Sequence, residues 1–420
     1  MIKSLDDWLK KITKESVPGI QLGLDRCKEL LISLDCLKNI KYVITVGGTN
    51  GKGSSVAMLE AIMLEYGYKV GTYTSPHIHK INERIKINGI EITDNQLISS
   101  FDKIAENKKS TDLTFFEYLT LAAIYFFSLQ KLDVIILEVG LGGRLDAVNC
   151  IDADIALISA IDIDHTEFLG ESREQIGFEK AGIMRKRRHA VCSDDNVPDS
   201  ILGFAEDNEV NLHILGVDFH TRGGATSWQW WTDNMMIEGN YNSLVKTNCQ
   251  LRNLSGALKV LELSEFELKS ERIQKALDAV SLRGRFQILK HNDREWVIDV
   301  AHNNQACVNL VESVKKLPAT RNNLGLFGLQ KTKHLQKFFL PLVSLVDLWF
   351  LPNFDEETFW SVSEIKEVLK RLGVSPANIF AFNSTSEALD AIKLRGDEER
   401  VLVAGSFIVV KNVLEEIEAR

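Results

Sequence analysis

The chain has 420 residues, 45% of them hydrophobic and 25% charged, with a formal net charge of -9. That length is more than a single core usually needs and sets two domains as the starting expectation. The acidic balance excludes a protein whose partner is a long nucleic-acid backbone, which demands a basic footprint. The N-terminus MIKSLDDWLKK has no apolar leader, and the apolar run 115–129 is too short to span a bilayer. A cytoplasmic monomer acting on small molecules, with no nucleic acid and no membrane as partner, is the expectation.

Strand-like runs rich in Val and Ile alternate with helical patterns along the first half: KYVITV (41–46), a helix over 54–66, VGTYTS (70–75), a helix around 115–130, DVIILEV (133–139) and DIALISAID (154–162). Such alternation predicts an α/β fold built on a mostly parallel central sheet. Parallel sheets collect ligands outside the carboxyl ends of their strands, so the residues just after each run carry the chemistry. Over 205–245 the pattern loosens into a hairpin excursion. Its near-alternating Trp228, Trp230 and Trp231 are read as core cover rather than as a base-stacking surface. After Arg285 a second α/β series begins with EWVIDV and closes with ERVLVAGSF and a helix. The expected domains are a P-loop ATP-binding domain over 1–288 and a smaller Rossmann-like α/β domain over 295–420. Six cysteines without a CxxC pair are expected to be reduced fillers of the core.

The segment GGTNGKGSS (47–55) lies between the first strand and a helix with apolar residues at Val56, Leu59, Ile62, Met63 and Tyr66. Glycines let backbone N–H groups face anionic oxygens, and the helix N-terminus adds partial positive charge. Lys52 would reach the outer phosphates of a nucleotide, with Ser54 or Ser55 supplying a hydroxyl. The spelling departs from the commonest P-loop because Gly53 separates the lysine from the hydroxyl residues. Glu138 closes the run DVIILE where P-loop proteins place an acid that holds the nucleotide's magnesium. Ser75 and His165 end neighbouring strands. Lys180, in EKAGI, reads from composition as an exposed helical lysine, and RKRRH (185–189) as a solvated basic loop or an aid to an anionic substrate.

The ordered set GTNGKGS, SPHI, INERI, FFEY, EVGLGGRLDA, DHTEFLG, EKAGI, GRFQ, DVAHN and AGSF closely resembles the folylpolyglutamate synthases, most nearly their bifunctional bacterial dihydrofolate synthase type, within the Mur ligase superfamily. The resemblance implies an ATP-dependent ligase that forms an amide between L-glutamate and dihydropteroate, or the γ-carboxylate of a reduced folate, through an acyl phosphate. It implies ATP phosphates held at Asn50, Gly51, Lys52, Gly53 and Ser54, magnesium (two ions) at Ser75, Glu138 and His165, and a carbamylated Lys180. Asn253, Arg285 and Asp299 match residues that hold ATP, while His302 and Ser406 match positions near the incoming glutamate. The stretches Ile20, Gln21 and Leu22, then Thr114, Phe115, Phe116 and Glu117, then Leu145, Asp146 and Ala147, match dihydropteroate contacts. Gln21 stands where an acid is frequent, Asn304 where proline is common, and GLQKTKH (328–334) lacks the aspartates of the family's GMxxDKD. Another Mur-type amino-acid ligase and a small-molecule kinase are the alternatives. Independence from an added amino acid would mark the kinase.

Overall fold

The computed structural model describes residues 4–17, 19, 21–108, 111–242, 244–264, 267–355, 357–396 and 399–419. It divides into two compact units, residues 1–245 with 249–280, and residues 246–248 with 281–420. The first unit holds helices α1 (Leu5–Glu15), α2 (Asp25–Leu34), α3 (Lys52–Glu65), α4 (Asp94–Asn107), α5 (Phe115–Ser128), α6 (Thr166–Leu169), α7 (Arg173–Ala181), α8 (Asp199–Asp207), α9 (Asn248–Leu263) and α10 (Ser270–Asp278). Its main strands are β1 (Val43–Gly47), β2 (Val70–Tyr73), β3 (Ile85–Ile87), β4 (Ile90–Glu91), β5 (Val134–Glu138), β6 (Ile155–Ile158), β7 (His189–Cys192) and β8 (Asn211–Ile214).

Among the described residues these strands form an eight-stranded sheet in the order β4-β3-β2-β5-β1-β6-β7-β8. The six strands from β2 to β8 in that order run parallel, and only β3 and β4 at one edge are antiparallel. Every residue of β1, β2, β5 and β6 is buried, the condition of a parallel sheet covered on both faces, and this explains their unbroken Val and Ile runs. Thr114 and Glu117 form a capping box at the start of α5, and Ser172 with Gln175 does the same for α7. The hairpin excursion is a separate antiparallel sheet of β9 (His220–Gly223), β10 (Ser227–Trp231) and β11 (Met236–Asn240). Trp228 and Trp230 are fully buried there and cover a core as the alternation suggests, whereas Trp231 is half-buried and stacks on His220.

The second unit contains β12 (Gln287–His291), β13 (Arg294–Ile298), β14 (Asn323–Phe327), β15 (Leu348–Pro352), β16 (Ile379–Phe382) and β17 (Arg400–Ala404), with α11 (Asn304–Val314), α12 (Leu335–Leu342), α13 (Val362–Arg371), α14 (Thr385–Lys393) and α15 (Phe407–Ala419). Its sheet order is β12-β13-β17-β14-β15-β16, parallel except for β12. Phe327, Phe338, Phe339 and Trp349 meet edge-on or tilted at the centre of its core.

All six cysteines are free thiols, and five of them are buried. The basic run is solvated, with Lys186, Arg187 and Arg188 exposed, and its charges are paired: Arg185 with Asp152, Lys186 and Arg187 with Glu209, and Arg188 with Asp154. No helix among the described residues is long and apolar enough to cross a membrane.

Candidate active site

In the first unit β1 ends at Gly47 and α3 begins at Lys52, so the glycine-rich turn spans the carboxyl end of the central strand. Gly48 and Gly51 have φ of +137° and +94°, and a Cβ would collide with the Ser159 hydroxyl at the first and with the Asn253 side chain at the second. Both positions therefore need glycine for conformation and for space. The turn is bound to the neighbouring strand end. Thr49 N donates to Ala160 O at 2.7 Å, its hydroxyl donates to Asp162 O at 3.0 Å and accepts from Asp162 N at 3.0 Å, and Ser159 Oγ lies 2.8 Å from Asn50 O.

Lys52 Nζ donates to the carbonyl oxygens of Gly48 (2.9 Å) and Thr49 (3.1 Å), which holds the ammonium at the turn. Gly53, Ser54 and Ser55 form the first turn of α3, and the buried Ser55 hydroxyl has no hydrogen-bond partner. Asn253, from α9, is buried against Gly51.

Glu138 is the last residue of β5, in register with Val46, and is 2% exposed. Its Oε2 accepts the backbone N–H of Ser75 at 3.0 Å, so the ends of β2 and β5 are joined beside the turn. His165 follows β6 in the left-handed region (φ +50°) and starts α6, with its N–H donating to Asp164 Oδ1 at 2.8 Å. Ser75, Glu138, the turn at 48–52 and His165 thus follow β2, β5, β1 and β6, four adjacent parallel strands, at one edge of one sheet. Among the described residues no group of three or more His, Cys, Asp and Glu side chains is arranged to hold an ion by itself.

Lys180 departs from the exposed residue that composition suggests. It is 3% exposed at the end of α7, and burial, with Lys52 adding repulsion, pushes its amine down to about 7 against the pull of Asp164 and Asp146. Asp146 is 4% exposed and accepts N–H groups from Leu141 (2.8 Å) and Val148 (3.0 Å). Burial still raises its carboxyl to about 6. Lys52, Asp164 and Asp146 all act on Lys180, and Lys52 acts on Asp146, which joins the four in one electrostatic cluster.

Of the expected pteroate contacts, Gln21 and Leu22 are exposed, Thr114 and Glu117 are buried at the start of α5, Phe115 and Phe116 are half-buried, and Leu145, Asp146 and Ala147 lead into a 3-10 turn at Ala147–Cys150. Ile20 lies outside the described residues. Arg26 was not legible as a site residue, because its meaning depends on Glu117, far along the chain: its Nε and Nη2 donate to Glu117 Oε1 at 3.0 and 2.7 Å.

The second unit has its own group at the carboxyl ends of β13 and β17. Asp299 accepts the N–H groups of Phe286 and Ala301, each at 2.7 Å. Burial raises its pKa, while the Arg285 guanidinium opposes the shift. Arg285 and His302 both lie by the Phe407 ring, at 5.1 and 6.5 Å. His302 Nδ1 is 2.8 Å from Val300 O. Since a carbonyl can only accept, Nδ1 carries the proton and Nε2 is the basic nitrogen of the neutral ring. Ser406 is buried and caps α15, its Oγ accepting Val409 N at 3.1 Å.

The departures at Asn304 and GLQKTKH have local compensation. Asn304 opens α11 beneath an Asn303 cap that accepts Ala306 N at 3.0 Å, so proline is not required to start that helix. The 328–334 segment is held by Lys331 N to Thr358 O (2.9 Å) and Trp360 Nε1 to Lys333 O (3.0 Å).

The chain matches the model of the Mur ligase middle domain over residues 46–248 and that of the Mur ligase glutamate ligase domain over 284–407. These matches, on a parallel sheet with a glycine-rich turn, an acid on the neighbouring strand and a buried lysine, followed by a second α/β unit, define an ATP-dependent ligase of the Mur type. Dihydrofolate synthase/folylpolyglutamate synthase from Haemophilus influenzae is 37% identical over 97% of this chain and 96% of its own length. An E. coli FolC structure in complex with DHPP and ADP superposes with a TM-score of 0.93 at 34% identity, covering 100% of this chain and 98% of that one. A bifunctional enzyme with Mn, AMPPNP and L-glutamate bound gives a TM-score of 0.89 at 34% identity, covering 99% and 98%. The chain belongs to the dihydrofolate synthase/folylpolyglutamate synthase family.

Proposed function

We propose that the first unit's strand ends bind ATP and a pterin-bearing acid, phosphorylate the acid's carboxylate, and so prepare it for attack by the amino group of L-glutamate. The observation that carries this reading is the adjacency of the turn at 48–52, Glu138, Ser75 and His165 on four neighbouring parallel strands. A carboxylate is a poor acyl donor because its leaving group would be oxide. One of its oxygens attacks the γ-phosphorus of ATP, ADP departs, and the acyl phosphate forms. The glutamate amine adds to the acyl carbon, loses a proton, and the tetrahedral species collapses to an amide and inorganic phosphate. Dihydropteroate and a reduced folylglutamate present the same reacting group, so one centre serves both additions.

Backbone N–H groups of Asn50, Gly51 and Gly53, the Lys52 ammonium, Ser54 and the Asn253 amide hold the nucleotide in this reading. They act through position and charge, the main resources available to phosphoryl transfer. The chain's residues fit a divalent ion: the buried Glu138 carboxylate next to the turn supplies hard oxygen, the Ser75 backbone is bonded to it, His165 follows β6 on the other side of β1, and magnesium is ordinarily shared between one or two carboxylates and substrate phosphates. When bound, it neutralises charge on the transferring phosphoryl group. Lys180 is suited to carbamylation, because only a neutral amine reacts with CO2 and burial, by pushing the amine down to about 7, leaves a large share of it neutral near pH 7. The neutral amine adds to CO2 and releases one proton, which turns an uncharged buried group into an anion. Within the second unit, Arg285 and Asp299 are the residues we assign to nucleotide binding, and His302 and Ser406 those we assign to glutamate.

The test is magnesium-dependent phosphate release from ATP by the purified chain, with L-glutamate plus dihydropteroate and with L-glutamate plus a reduced folate. Release is expected with both acids and only when glutamate is present. Glutamate-independent formation of ADP and a stable phosphorylated acid, without inorganic phosphate, would identify a kinase instead.

A further inference from the structure

The three stretches assigned to the pterin-bearing acid come from distant parts of the sequence, and one side chain ties two of them together. Arg26 sits in the first turn of α2, where Nε and Nη2 donate to Glu117 Oε1 at 3.0 and 2.7 Å and Nη2 also donates to the carbonyl oxygen of Gln21 at 3.2 Å. Glu117, its side chain 3% exposed, uses its other oxygen to accept Thr114 N at 2.8 Å. The third stretch joins through the backbone, with Gly23 N donating to Leu145 O at 3.2 Å. α2 also packs against both α5 and the 3-10 turn that begins at Ala147.

From this geometry we infer that Arg26 is a positioning residue that assembles the acid-substrate pocket and sets the affinity for the pterin-bearing acid. The inference rests on the substrate reading above. The guanidinium is planar and offers several N–H groups in a fixed fork, so one residue can hold a carboxylate by two bonds and a carbonyl by a third. An ammonium has no such fork. Without the guanidinium the 21–22 segment loses its tie to α5, and the Glu117 carboxylate is left buried without its counter-charge. The first effect concerns substrate binding and the second concerns stability, and substitution of Glu117 separates them.

Glutamate-dependent phosphate release by the full chain is measured against dihydropteroate concentration for wild type, Arg26→Lys, Arg26→Met and the double variant Arg26→Met/Glu117→Gln. Arg26→Lys and Arg26→Met are expected to raise KM for dihydropteroate by about tenfold or more, the worth of one charge-assisted hydrogen bond, with KM for ATP within about twofold of wild type. The double variant, relieved of its buried charge, is expected to regain melting temperature and keep the raised KM. A wild-type KM in folded Arg26→Lys, or a KM that recovers together with the melting temperature in the double variant, overturns the inference. Wild-type protein inactive with both dihydropteroate and reduced folate overturns the substrate reading itself, a result seen before any substitution is made.

Discussion

Lys52 and Asp146 belong to the same cluster of charges, and each gives a separate test. Lys52 is held at the turn by the carbonyls of Gly48 and Thr49, where an approaching phosphate gains a nearby positive charge. Lys52→Ala should lower kcat by roughly 100- to 1,000-fold, the cost of one transition-state donor at about 2.7–4 kcal/mol, with circular dichroism unchanged. Near wild-type turnover in the folded variant would remove the turn from the chemistry. Asp146 has its carboxyl raised by burial from 3.8 to about 6. Between those two values the unfolded chain has lost the proton that the folded chain retains, so the free chain's stability falls as pH rises through that window and then levels off. A shift of about two units corresponds to roughly 3 kcal/mol. Asp146→Asn should remove this carboxyl's share of the decline, making the slope shallower in denaturant titrations of the ligand-free chain across the same range. A slope identical to wild type would show that the carboxyl is not buried as described.

At the scale of elements, the turn between β1 and α3 was legible in the sequence because everything that defines it is local: a Val and Ile strand, glycines where backbone must curl, a lysine and a helix. The strand ends at Glu138, Ser75 and His165 were also legible, since parallel order follows from alternating strands and helices. What the local pattern could not show was depth. Lys180 looks like a surface lysine at the end of α7 and is buried because α7 packs beside the glycine-rich loop after β5, where the Arg144 N–H donates to Glu179 O at 2.7 Å. Asn253 reaches Gly51 from a helix about two hundred residues later, and Arg26 meets Glu117 across a separation of 91 residues. Long-range contacts of this kind leave no periodicity to read. The Gly51 contact carries its own test, since both φ and space exclude a side chain there. Gly51→Ala should cost roughly 1–3 kcal/mol of stability through the unfavourable backbone conformation and raise KM for ATP. The companion Asn253→Ala change should relieve the collision but not the backbone penalty. Full recovery of stability in the double variant would contradict the conformational part of this account.

Across the whole molecule, similarity to the family runs almost the full length of the chain, through both units, and the departures within it are absorbed locally. Asn303 caps the helix that proline would otherwise begin, and the 328–334 segment is tied down by Trp360 and Thr358. Each unit places its polar residues at the carboxyl ends of parallel strands, the arrangement that favours ligand binding in α/β sheets. The chemistry assigned to the molecule is the passage of one carboxylate oxygen from the acid to phosphate, and isotope labelling follows that atom directly. With dihydropteroate labelled by 18O in its carboxyl group, one labelled oxygen should appear in the inorganic phosphate released for each amide formed. Phosphate free of label, with glutamyl product still accumulating, would mean that no acyl phosphate lies on the path.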